Sequence, residues 1–106
     1  MSIFMRQIDR KASLDLLFQI EDELLKNPTR GALIPGANGV RKARVGDPDR
    51  GKGKRGGYRY IYLYLEHRGH IFLLFLYGKN EQGDLSPDQK RALAEVAESI
   101  KKETSK

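Results

Sequence analysis

The sequence predicts an α+β fold: one small domain in which an antiparallel sheet of three to four strands packs against an N-terminal and a C-terminal helix. Three observations carry this. Residues 58–65 alternate with a period of two, with Tyr58, Tyr60, Tyr62 and Tyr64 on one parity and Arg59, Ile61, Leu63 and Leu65 on the other, which is the pattern of a strand. A second, almost wholly apolar run follows after only Glu66-His67-Arg68-Gly69, and so short a connection makes the pair an antiparallel hairpin. Apolar residues recur at helical spacing in two further segments, one before the hairpin and one after it.

The first helix is expected over 13–26. Ser13 is placed to cap it, and Leu14, Leu17, Phe18, Leu24 and Leu25 form its expected apolar stripe. Asn27-Pro28 ends it, because a residue before proline is driven out of the α region. Residues 3–11 read equally as a short strand or a stub of helix. Residues 31–39 form a turn-rich connector with Pro35-Gly36 and Asn38-Gly39. A basic strand is expected over 40–45, and a long loop over 46–57. A loop of that length in a small domain points to function or disorder. The hairpin strands follow at 58–65 and 70–77. Ser86-Pro87-Asp88-Gln89 then starts the last helix, over about 87–102, with a Ser cap, Pro at the first helical position and Gln three residues after the cap. Leu93, Val96, Ala97 and Ile100 give that helix one apolar stripe.

A chain of 106 residues fits one domain, 1–106, whose single core holds without staples. The sequence has no cysteine, which excludes disulfides, thiolate metal sites and a cysteine nucleophile. The N-terminal residues carry no long apolar stretch or small-residue cleavage site. The longest apolar run, 71–77, is far short of the roughly 20 residues of a membrane span. The expectation is a cytoplasmic protein with no membrane contact.

Charge is more informative. Lys and Arg number 20 against 14 Asp and Glu, a formal +6. The excess gathers between 41 and 55, where Arg41, Lys42, Arg44, Arg50, Lys52, Lys54 and Arg55 meet only Asp47 and Asp49. So concentrated a segment suggests a polyanionic partner, nucleic acid before others; the alternative is a solvated loop that keeps the chain soluble. Gly51-Lys52-Gly53-Lys54-Arg55-Gly56 satisfies the dinucleotide pattern G-x-G-x-x-G, but it opens a strand where that motif must open a helix. His67 and His70 flank a turn without a ligand cluster, and no cofactor or metal is expected. The serines fall at termini, at caps or in the last helix, away from any acyl-transfer arrangement.

What remains is a set of basic groups on strands. Lys42 and Arg44 share one face because they are two apart, as are Tyr77 and Lys79 at the end of the last strand, and Arg59 opens the strand between. Adjacent antiparallel strands would gather these groups, and an anionic ligand would relieve their repulsion. RNA supplies its own nucleophile, the 2′-hydroxyl, beside the scissile phosphate. A protein then has to provide a base, an acid and positive charge for the transition state. Arginine offers a charged fork to phosphate oxygens, and lysine serves as base or acid where neighbouring cations lower its pKa.

In order along the chain, Asn27-Pro28, Ile34-Pro35-Gly36, Arg41-Lys42-Ala43-Arg44, the run from Gly51 through Gly56-Gly57-Tyr58-Arg59, and Tyr77-Gly78-Lys79-Asn80-Glu81 with Asp84-Leu85 resemble the HigB-type branch of the RelE toxin superfamily. Gly36-Ala37-Asn38-Gly39 departs from the Gly-Thr-Gly-Gly usual there. The resemblance implies a RelE-like fold and a ribosome-dependent endoribonuclease, the toxin of a type II toxin–antitoxin system. It also implies an antitoxin of the helix-turn-helix DNA-binding kind as partner. By position, Arg59 resembles the arginine that stabilises the transition-state phosphate. Lys42 and Arg44 are similar to the paired basic residues of the preceding strand, and Tyr77 and Lys79 to the tyrosine and lysine of the last strand. The expected catalytic set is therefore Arg59, Lys79, Tyr77, Lys42 and Arg44, with Lys52, Lys54, Arg55 and Arg41 holding RNA. Two other readings stand beside it: a catalytically silent RNA-binding or interaction module on the same scaffold, and a ParE-like topoisomerase poison.

Overall fold

The alternation at 58–65 becomes the centre of the molecule. In a computed structural model, which describes residues 14–46, 57–66, 69–78 and 84–104, the chain forms helix α1 (Leu14–Lys26), strands β1 (Ala32–Leu33), β2 (Val40–Val45), β3 (Tyr58–Leu65) and β4 (His70–Gly78), and helix α2 (Pro87–Thr104). The strands make one four-stranded sheet in the order β1-β2-β3-β4, antiparallel throughout. The α+β architecture and the hairpin are those expected. Residues 3–11, the Ser13 cap and most of the 46–57 loop lie outside the described residues.

Both faces of the sheet are buried, which is why β3 and β4 carry so few polar positions. On one face Leu16, Ile20 and Leu24 of α1 pack with Ala43, Val45, Tyr60, Tyr62 and Leu76. On the other, Leu93 and Ala97 of α2 pack with Val40, Ile61, Leu63, Leu65, Leu74 and Tyr77. The sheet is thus a layer between two helices.

The stripe of α1 differs from the expected one. Leu16, Ile20 and Leu24, spaced by four, are buried, whereas Phe18 is 59% and Leu25 81% exposed. This helix has apolar residues on more than one side, so spacing alone does not choose among them. The tyrosine-bearing face of β3 chooses, because it accepts aliphatic side chains from one side of the helix only. In α2 the buried stripe narrows to Leu93 and Ala97 with Ile100 half-buried, and Val96 is 37% exposed. Its start is the expected capping box: the Gln89 N–H donates to Ser86 Oγ (3.1 Å) and the Ser86 N–H donates to Gln89 Oε1 (2.9 Å).

The turn-rich connector contains β1, which pairs Ala32 with Lys42 and Leu33 with Arg41. Its turn runs through the left-handed region at Gly36, Asn38 and Gly39, which asparagine tolerates better than other side-chain-bearing residues. Asn38 also fastens the turn to α2. Its amide donates to Glu98 Oε1 (3.1 Å), while Lys101 Nζ donates to its carbonyl oxygen (2.8 Å) and to Oδ1 (2.9 Å).

One irregularity matters for function. From Leu65↔His70 to Tyr62↔Leu73 the β3–β4 register is regular, and it then shifts, so that Ile61 faces Phe75 and Arg59 faces Tyr77. Leu74 is the extra residue of this bulge, and it is buried in the α2-side core.

Candidate nucleic-acid interface

The site is a row of cross-strand partners. Arg44 of β2 lies opposite Arg59 of β3, and Arg59 lies opposite Tyr77 of β4. Lys42, two residues before Arg44, shares their face. All four belong to the face that α2 covers, at the end of the sheet where that helix begins. The Lys42 ammonium is 3.2 Å from the carboxylate of Asp84, which leads into α2. Arg44 is exposed, Lys42 and Arg59 are half-buried, and Tyr77 is buried.

Two arginines directly opposite one another repel in a sheet. Local structure alone does not favour the arrangement, and a phosphate bridging the two guanidinium groups would relieve it. Tyr77 adds a second unsatisfied feature. Its ring packs against Phe75, centroids 5.6 Å apart, yet its buried hydroxyl has no hydrogen-bond partner among the described residues. Burial pushes the phenol above its ordinary pKa; the Arg59 charge opposes this and Asp84 reinforces it. At neutral pH it is therefore a protonated donor beside a guanidinium.

Asp84 was not among the expected site residues. Its carboxylate accepts the Leu85 N–H (2.7 Å) as well as Lys42 Nζ, and those bonds, with the Lys42 charge, hold its pKa below the usual carboxylate range. Its only trace in the sequence is the Asp84-Leu85 pair that follows Tyr77-Gly78-Lys79.

Arg41 stands apart from this group. It alternates with Lys42 and so points to the α1 face, where its guanidinium donates to the carbonyls of Gly31 (2.7 Å) and Thr29 (3.2 Å). Lys79, Lys52, Lys54 and Arg55 lie outside the described residues. No group of three or more His, Asp or Glu side chains converges among the described residues, so no residue is assigned to a metal. Among the same residues no helix is long and apolar enough to cross a membrane.

The family model for the RelE toxin of RelE/RelB toxin–antitoxin systems matches residues 19–106. The chain belongs to the RelE toxin family. The matched span takes in every strand and α2, and with them Lys42, Arg44, Arg59 and Tyr77. RelE membership gives the chain the toxin's part in a toxin–antitoxin system, with an antitoxin as its counterpart. The sandwiched antiparallel sheet with two helices is consistent with a RelE-like fold.

Proposed function

We propose that this RelE-family toxin is an endoribonuclease of the HigB-type branch, which cuts mRNA on the ribosome and so stops translation in the cytoplasm. The observation that carries the reading is the row Arg44–Arg59–Tyr77 with Lys42 beside it: cations and one protonated donor on a single face, suited to a phosphodiester. In the reaction the 2′-oxygen forms a bond to the adjacent phosphorus as the bond from phosphorus to the 5′-oxygen breaks. The 2′-hydroxyl proton leaves to a base, and the departing 5′-oxygen takes one from an acid. Arg59 stabilises the charge that gathers on the phosphoryl oxygens, and Lys42 and Arg44 orient the phosphate. Tyr77 and Lys79 carry the proton transfers. Tyr77, which keeps its proton at neutral pH, takes the donor's part beside Arg59, and Lys79 takes the base's. Lys52, Lys54 and Arg55 grip flanking phosphates. Arg41 supports the interface from below through its bonds to the Thr29–Gly31 main chain. The antitoxin, on this reading, is a small helix-turn-helix DNA-binding protein. The chemistry needs no metal, so cutting should persist in chelator as far as ribosomes themselves tolerate it.

The test uses translating ribosomes and a message whose cut site has first been mapped. A single 2′-deoxy substitution there should abolish cutting while leaving binding nearly intact. Translation arrest by wild-type protein with every message intact would end the nuclease reading and leave a binding module; neither arrest nor cutting would leave a ParE-like toxin.

A further inference from the structure

Beneath the arginine row, on the α1 face of the same strands, lies a connected polar group beside the aliphatic side chains of α1. Arg30, in the connector after α1, has a side chain only 19% exposed and lies 3.1 Å from Glu23 Oε1 of α1, whose side chain is also 19% exposed. Arg30 Nη1 donates to the Tyr60 hydroxyl (2.7 Å) and to the main-chain carbonyl of Arg44 (3.3 Å). The Tyr60 hydroxyl in turn donates to Glu23 Oε1 (3.2 Å). Tyr60 is fully buried and sits between Arg59 and Ile61 on β3, opposite Ala43, the neighbour of Arg44. One cation on the lower face is therefore bonded to the main chain of a cation on the upper face.

Stability alone is a weak reason for this arrangement. A largely buried ion pair recovers little beyond the cost of desolvating its charges, and well-packed apolar groups often do as well. What the group does that apolar packing would not is fix direction. Hydrogen bonds set where the β2 main chain lies relative to β3, at the rung where Arg44 and Arg59 repel each other.

We propose that Arg30, with Glu23 and Tyr60, is a positioning residue that holds the β2 main chain at Arg44 against β3, so that the Arg44 and Arg59 guanidinium groups stay aimed at one phosphate. The catalytic side of this inference rests on the nuclease reading above; the clamp itself does not. Arg30 touches no substrate and acts through the strands.

The test compares Arg30→Gln, Arg30→Lys and Tyr60→Phe in the full chain. Tyr60→Phe keeps the buried ring and removes only the hydroxyl, so it serves even if Arg30→Gln fails to fold. The amides of Arg44, Val45 and Arg59 should exchange faster in Arg30→Gln and Tyr60→Phe. Single-turnover cleavage should fall about tenfold or more, as for a misaimed group, with the KM for message within about twofold of wild type. Arg30→Lys, which keeps a cation between Glu23 and Tyr60, should recover most of the rate. The decisive readout is a double variant. In an Arg59→Ala background the two guanidinium groups no longer share one phosphate and only Arg44 is left to aim, so Arg30→Gln should add a clearly smaller loss than it causes in wild type. Losses that multiply, or a full rate in Arg30→Gln and Tyr60→Phe, would overturn the proposal. If wild type cuts nothing, the nuclease reading falls and amide exchange alone decides the clamp: unchanged exchange at those three amides refutes it, and faster exchange upholds it.

Discussion

Arg59 faces Tyr77 across the β3–β4 ladder because Leu74 is an extra residue in β4. In the register set by Leu65↔His70 and Tyr62↔Leu73, Arg59 would meet Leu76, and Tyr77 would turn to the α1 face. Side chains alternate with a period of two, so a shift by one residue exchanges the faces of everything beyond it. The bulge thus places a phenol beside the transition-state arginine of the proposed reaction, and it buries that phenol.

Tyr77→Phe should separate stability from activity. Its buried hydroxyl has no partner among the described residues, and removing an unsatisfied buried polar group is neutral or stabilises by about 1 kcal/mol. Chemical denaturation of the variant should show no loss of stability, while cleavage on ribosomes should fall about 10²-fold, as for loss of a positioned acid. A variant that is less stable yet fully active would place Tyr77 in the core and outside the chemistry.

Arg59→Ala should leave the fold standing and lower the cleavage rate by about 10²-fold or more, in line with losing one preorganised charge donor. Relief of the repulsion with Arg44 should keep the unfolding free energy within about 0.5 kcal/mol of wild type or raise it slightly. Cutting at the wild-type rate would remove Arg59 from the site and keep the fold.

The side of α1 that packs can be read by charge insertion. Leu16 is 1% exposed and Leu25 is 81% exposed. Leu16→Asp should cost on the order of 3 kcal/mol, and Leu93→Asp under α2 a similar amount, by burying an unpaired charge. Leu25→Asp should stay within about 0.5 kcal/mol. Equal costs at Leu16 and Leu25 would contradict the orientation of the helix.

Alkaline pH should destabilise the fold through its tyrosines. Burial raises the phenol pKa values of Tyr60, Tyr62 and Tyr77 above 10.0. Above that value the unfolded chain releases protons that the folded chain keeps, so stability falls as pH rises. The contribution is fully present below the unfolded pKa and is lost as pH rises through the folded values. Tyr60→Phe should flatten this fall in denaturation midpoints measured from pH 9 to 11, roughly one unit either side of an unperturbed phenol; an unchanged slope would mean that Tyr60 ionises as freely as in the unfolded chain.

The basic loop makes a prediction in salt. If Lys52, Lys54 and Arg55 grip phosphates, RNA affinity should fall with a log–log slope of about −0.7 per phosphate on single strands. Replacing Lys52 and Lys54 together should flatten that slope by the corresponding amount. A slope that does not move would make the loop a solvated bystander.

Much of this molecule is written locally. The tyrosine alternation of 58–65, the four-residue turn after it and the Ser86–Gln89 capping box each depend on neighbours in sequence, and each specifies its element unaided. The same locality put Lys42 and Arg44 on one face of β2. The sequence alone did not determine which side of α1 would pack, since Leu16, Phe18 and Leu25 are equally apolar. It did not reveal that Arg41 would turn away to bond the Thr29–Gly31 main chain, or that Asp84 would reach Lys42. Nor did it show that a bulge at Leu74 would turn Tyr77 towards Arg59. Tertiary structure decided these, because strand register and helix orientation are set by contacts between residues far apart in the chain, while periodicity reports only on residues a few positions apart.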